Sequence, residues 1–104
     1  SINGDIILFP NEILRGRKKM STCIAVFLSS TSTRIFAEKL RAQGVWCRII
    51  STPPEAKVGC GRSVEFSSCD LRKAKMVISY TRGSFAGLFE KRVIAGRTYY
   101  SRIG

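Results

Sequence analysis

The sequence predicts an α+β fold, a ferredoxin-like β-α-β-β-α-β sandwich with an added C-terminal β-hairpin. Three observations predict it. Thr22 to Leu28 is a continuous apolar run with β-branched and aromatic members, as expected of a central strand buried on both faces. Two later segments, about Thr33–Gln43 and Cys69–Tyr80, place apolar residues at helical spacing. The tail holds two strand-like runs, Leu88–Ile94 and Arg97–Ile103, on either side of Ala95-Gly96, which reads as a terminal hairpin.

Each element has a local reason. Ser29-Ser30-Thr31-Ser32-Thr33 is rich in helix N-cap residues, Ile35, Phe36, Ala37 and Leu40 form the apolar face of the first helix, and Gly44 is its natural stop. Val45–Ile50 is the second strand, with Trp46 and Arg48 on one face and Val45, Cys47 and Ile49 on the other. Residues 51–61 form a loop that is stiff at its start, because Pro54 lacks an amide hydrogen and restricts Pro53 to extended angles. Arg62–Phe66 is a short third strand. Ser67-Ser68 offers a second N-cap; Leu71, Ala74 and Ile78 give the second helix its apolar face, Lys75 lies at that face's edge, and Gly83 ends the helix.

A chain of 104 residues makes one small domain with a modest core. Residues 1–20 differ from the rest and read as a basic N-terminal extension ahead of a domain spanning 21–104. They hold a short strand candidate, Asp5–Phe9, stopped by Pro10, and then the run Arg15-Gly16-Arg17-Lys18-Lys19. A family-specific extension and an artefact of start-site choice both remain open. The basic run follows the apolar stretch, which is not the order of a signal peptide. No apolar run approaches the roughly 20 residues that span a bilayer. Together these predict a cytoplasmic protein with reduced thiols.

The formal net charge is +11, from 18 basic and 7 acidic residues. Residues 21–104 alone carry +9, so the excess belongs to the folded body and raises the expectation of a polyanionic partner such as RNA. Histidine is absent, which removes the commonest general base and excludes Ser-His-Asp and Cys-His hydrolysis within this chain. The four cysteines, Cys23, Cys47, Cys60 and Cys69, include no C-x-x-C pair, so neither a structural zinc site nor a resident cofactor is expected. Cys23 lies in the buried run and reads as inert core, and Cys47 reads likewise. Cys69, at a helix start, is either a resolving thiol or a residue without a role.

Cys60 is the candidate for chemistry. It stands between Gly59 and Gly61, which remove side-chain cover from the sulfur and permit unusual backbone angles. Lys57 and Arg62 are near in sequence, and cations favour thiolate, the reactive form. The plainer alternative is a tight connection that happens to contain a small apolar residue.

These residues also carry a resemblance. The first strand, the Ser/Thr turn, Ala37-Glu38-Lys39-Leu40, Gly44-Val45, Arg48-Ile49-Ile50, Thr52-Pro53-Pro54, Gly59-Cys60-Gly61 and Val64–Phe66 follow the order and spacing of the selenium/sulfur carrier protein-like family over about residues 22–80. The resemblance implies that Cys60 is a carrier thiol, that Gly59 and Gly61 shape its loop, and that Pro53 fixes the loop's entry. It further implies sulfur-donor and acceptor proteins as partners. The chain departs from the family pattern at Glu55-Ala56-Lys57-Val58, in its high positive charge and in its extra length.

Three readings compete on this basis, the third being a structural or accessory protein with no chemistry of its own. The first is a sulfur or selenium relay in which Cys60 carries a persulfide-type group, with no acid–base residue needed because the donor enzyme supplies that chemistry. The second is a basic binding module in a nucleic-acid-containing or other large assembly, using Arg92, Arg97, Tyr99, Tyr100 and Arg102 of the last strands to stack bases and neutralise phosphates. Against that, a Tyr99-Tyr100 pair in a strand ordinarily puts one ring inside and one outside.

Overall fold

The computed structural model describes residues 21–81 and 84–104. The expected strand Asp5–Phe9, the basic run after it and the helix stop at Gly83 lie outside them. The described elements run β1 (Thr22–Phe27), α1 (Ser30–Ala42), β2 (Cys47–Ser51), β3 (Arg62–Ser67), α2 (Leu71–Tyr80), β4 (Phe85–Ile94) and β5 (Arg97–Arg102), with 3-10 turns at Pro54–Ala56 and Ser68–Asp70. The strands form one sheet in the order β2-β3-β1-β4-β5, every neighbouring pair antiparallel. This is an α+β fold.

β1 is central, and Cys23 to Phe27 are all fully buried, as a continuous apolar run requires. Its alternate side chains serve two layers. Cys23, Ala25 and Phe27 join Cys47, Val64, Phe66 and Leu88 under the helices, packed against Phe36, Ala37 and Leu40 of α1 and Ala74 and Val77 of α2. The Phe27 and Phe36 rings lie 4.9 Å apart, and Phe27 meets Phe85 edge-on at 5.8 Å. On the opposite face, Ile24, Val26 and Phe89 pack with the fully buried Ala56, so the Pro-Pro loop covers the side of the sheet that the helices leave open.

Four boundaries differ from expectation by two residues or more, each for a local reason. α1 starts at Ser30, three residues early, because the Ser29 hydroxyl accepts from the Ser32 amide at 3.1 Å and so takes the cap. Ser67 caps the 3-10 turn, accepting from the Cys69 amide, and α2 begins only at Leu71. Val45 and Trp46 precede β2, since the Val45 amide is spent on Leu40 at the helix end. β4 starts three residues early, at Phe85, opposite Phe27 across an irregularity in register.

β1 accompanies β4 only as far as Lys91. Beyond it, Arg92 to Tyr99 pair only with each other among the described residues, and all of them are exposed. The turn puts Ala95 at φ 51° and Gly96 at φ 78°, the double positive φ of a two-residue hairpin loop.

Candidate functional site

The loop bearing Cys60 is closed at its base, where the Thr52 amide donates to the Gly61 carbonyl at 2.9 Å. The buried hydroxyls of Thr52 and Ser63 hydrogen-bond just below. Pro53 is extended, at φ −62° and ψ 153°, and Pro54 opens the 3-10 turn as its first residue. Ala56 anchors the turn in the core while Lys57 and Val58 face solvent. The chain then passes over the end of β1. A Cβ on Gly59 would collide with the Phe27 carbonyl oxygen and lie 2.8 Å from Val26 Cγ1, so only glycine permits this approach. Gly61 turns the chain into β3 at φ +94°, with open space where a side chain would be.

Cys60 is exposed at the point so defined. Its amide donates to the Phe27 carbonyl at 2.9 Å. Its sulfur lies 3.7 Å from the Thr33 hydroxyl and 3.8 Å from the Arg62 carbonyl, both polar contacts. Thr33 is buried in the first turn of α1 and also donates to the Ser29 carbonyl at 3.0 Å. The thiol therefore sits where the end of β1, the start of α1 and the start of β3 converge.

Beside it lies an open cleft of about 240 Å³, lined by Ser30, Thr31, Thr33, Arg34, Ile49 and Arg62. Thr33 and Arg62 belong both to the cleft wall and to the contacts of the sulfur. Ile49 shares the helix-side face with Cys47 but remains partly exposed, because the α1 side of this edge is the open cleft. Arg34 pairs with Glu38 at 3.3 Å across an exposed helix turn. Among the described residues Arg62 has no carboxylate partner, whereas Arg48 holds the nearly buried Glu65 at 2.6 Å. Lys57, expected near the sulfur, is exposed on the loop and is not part of the cleft wall. Sequence reasoning missed Ser30, Thr31, Thr33, Arg34 and Ile49 as site residues. The run of hydroxyls followed by Arg34 was its one available signal, and it was absorbed by the capping explanation.

The other cysteines differ in kind. Cys23 and Cys47 are buried. Burial, with a smaller push from the Glu90 charge, raises the Cys23 thiol to about 11. Burial likewise raises Cys47, whose thiol donates to the Ala37 carbonyl at 3.5 Å. Cys69 is exposed but follows the far end of β3. The whole strand, roughly 15–20 Å of extended chain, separates it from Cys60. A disulfide needs Cα atoms about 4.4–6.8 Å apart, so Cys69 cannot act as a resolving thiol without large movement. Among the described residues no cluster of three or more His, Cys, Asp or Glu could hold a metal, and no helix is long and apolar enough to cross a membrane.

The five basic and aromatic residues of the hairpin fall on two faces. Cross-strand pairing puts Arg92 opposite Tyr99 and Ile94 opposite Arg97 on the helix side. Tyr100 points to the other face and packs on the cluster of Ile24, Val26, Ala56 and Phe89, where burial raises its phenol above the usual range. Arg102 lies over the Phe89 ring at 5.8 Å and donates to the Ala86 and Gly104 carbonyls at 2.9 and 3.2 Å. Arg92 pairs with Glu90 at 3.3 Å.

A helix-backed antiparallel sheet that presents one thiol on a glycine-flanked loop defines a small α+β domain with a reactive-cysteine candidate. The chain belongs to the family described as Putative Se/S carrier protein-like, whose model matches residues 22–90. The match reaches into β4, further than the 22–80 suggested by the motifs. No curated protein and no solved structure matches the chain significantly.

Proposed function

We propose that this protein is a sulfur or selenium carrier that relays a persulfide-type group on Cys60 between donor and acceptor proteins. The observation that carries the reading is the exposure of Cys60, whose sulfur meets the Thr33 hydroxyl and the Arg62 carbonyl. Family membership over residues 22–90 supports the chemistry. Loading needs no base from this chain. The Cys60 thiolate attacks the outer sulfur of a donor enzyme's persulfide, the donor's S–S bond breaks, and the donor thiolate leaves. The reverse logic hands the sulfur to an acceptor thiol. The strand order supports a further assignment, that β1 to β4 with α1 and α2 are a ferredoxin-like unit to which β5 is added. Incubation with a cysteine desulfurase and cysteine, followed by mass spectrometry, tests the carrier function. A gain of one sulfur on the Cys60 peptide, absent in Cys60→Ser, is expected; no adduct on Cys60 overturns it.

The projecting half of the hairpin favours a second reading, a basic module that binds a polyanion such as RNA. Arg92, Arg97 and Tyr99 share one exposed face there, while Tyr100 and Arg102 serve packing. Retention on heparin or RNA that falls steeply with salt, and weakens in Arg97→Ala, is expected under this reading.

A further inference from the structure

We propose that the cleft beside Cys60 is an oxyanion subsite, seating the anionic half of a small sulfane-sulfur donor such as thiosulfate while Cys60 takes its outer sulfur. This deepens the carrier reading and rests on it. It adds a loading route that bypasses a protein donor.

The wall chemistry selects the ligand class. Of the six lining residues two carry guanidinium groups, three carry hydroxyls, one is aliphatic and none is a carboxylate. Guanidinium and hydroxyl donors together match the spread of acceptors on a tetrahedral oxyanion. Both arginines are available. Arg62 has no carboxylate partner among the described residues, and the Arg34–Glu38 pair, more than half exposed on both sides, is of the weak exchangeable kind. The cleft opens at the first turn of the 13-residue α1, whose positive end adds to the same field. Its volume, about 240 Å³, is below the roughly 300–1,000 Å³ typical of pockets for drug-sized ligands, and suits a small ion with some of its water.

Placement selects the reaction. Thr33 and Arg62, which wall the cleft, also contact the sulfur, Thr33 through its hydroxyl and Arg62 through its backbone carbonyl, so an anion held there lies next to Cys60. The step balances without any other reactant. Cys60 first loses its proton to solvent. The thiolate then attacks the outer sulfur of thiosulfate, a Cys60 Sγ–S bond forms, and the S–S bond of thiosulfate breaks. Sulfite leaves with the bonding pair. A thiolate and a dianion become a perthiolate and a dianion, and the sulfur moves as a neutral atom, so no outside oxidant or reductant takes part.

The test loads the full chain by two routes, from thiosulfate and from a cysteine desulfurase with cysteine, in wild type, Arg62→Gln and Arg34→Gln. Sulfite release and the mass of the Cys60 peptide are measured, with thermal melts to verify that the exposed substitutions leave the fold intact. Thiosulfate is expected to release one sulfite per sulfur gained on Cys60. Each arginine variant is expected to slow the thiosulfate route roughly tenfold or more, and to slow it by a clearly larger factor than it changes desulfurase loading. Inorganic sulfate is expected to compete only with thiosulfate. Should desulfurase load Cys60 while thiosulfate does not, or load all three chains alike from thiosulfate, the subsite is overturned and the carrier reading stands. Failure of both routes removes both.

Discussion

The Phe27 carbonyl oxygen, at the end of the central strand, accepts the amide hydrogen of Cys60 at 2.9 Å, so the candidate reactive residue hangs directly from the most buried element of the fold. Gly59 makes that contact possible, because any Cβ there meets the same carbonyl. The sulfur's position is thus a consequence of core packing as much as of loop sequence.

The two glycines beside Cys60 are expected to fail differently on substitution. Gly59→Ala forces the loop off β1, should cost roughly 1–3 kcal/mol as an overpacked site does, and should change the alkylation rate of Cys60. Gly61→Ala meets no neighbour but must hold φ +94°, a strain of about 1–2 kcal/mol. Denaturant midpoints paired with thiol-labelling rates separate the two. Equal stability of Gly59→Ala and wild type would contradict the close approach.

Thiol labelling should sort the cysteines by burial. In the native protein Cys60 and Cys69 are expected to react with a small alkylating reagent, and Cys23 and Cys47 only after unfolding. Peptide mapping before and after denaturant reads this directly.

Cys23 also sets a pH dependence. Its folded value, about 11, lies above the ordinary 9.0 of the unfolded chain. The stability associated with the protonated thiol is fully present below pH 9. It is lost as pH rises toward 11, because there the unfolded chain has released a proton that the folded chain still holds. The difference in unfolding free energy between wild type and Cys23→Ala is therefore expected to be flat below pH 9 and to shift toward the variant between 9 and 11. A flat difference across that window contradicts the assignment.

Several features were legible in the sequence, and the remainder had identifiable causes. The run Cys23–Phe27 announced a strand buried on both faces because both layers require apolar side chains from it. The Gly-Cys-Gly loop announced a tight connection. Its seat on Phe27 was not readable, since that contact joins residues far apart in the chain. The start of α1 was ambiguous because five consecutive hydroxyl residues could each cap it, and only tertiary position selects Ser29. The hairpin arginines and tyrosines looked like one cluster in sequence. Strand alternation and the register of β4 with β5 divided them.

Ala95 offers a stabilising change. A non-glycine residue at φ 51° in a two-residue turn is strained, and asparagine tolerates that conformation better. Ala95→Asn is expected to raise stability by about 0.5–1 kcal/mol, measured by chemical denaturation.

Arg48 is expected to matter through Glu65, which is only 7% exposed and paired at 2.6 Å. Arg48→Ala leaves that carboxylate without its cation and should cost roughly 1–3 kcal/mol. A double-mutant cycle with Glu65→Gln should return most of the loss as coupling.

The hairpin projects past the Thr22 end of the central strand, whereas Cys60 sits at its Phe27 end. The molecule is therefore bipolar, with its cationic ribbon and its sulfur facing away from one another. Only the tip from Arg92 to Tyr99 is free to be shortened or recharged without touching the thiol's surroundings, because the next residue, Tyr100, packs on Ala56 and so ties the base of the ribbon to the loop that carries the thiol.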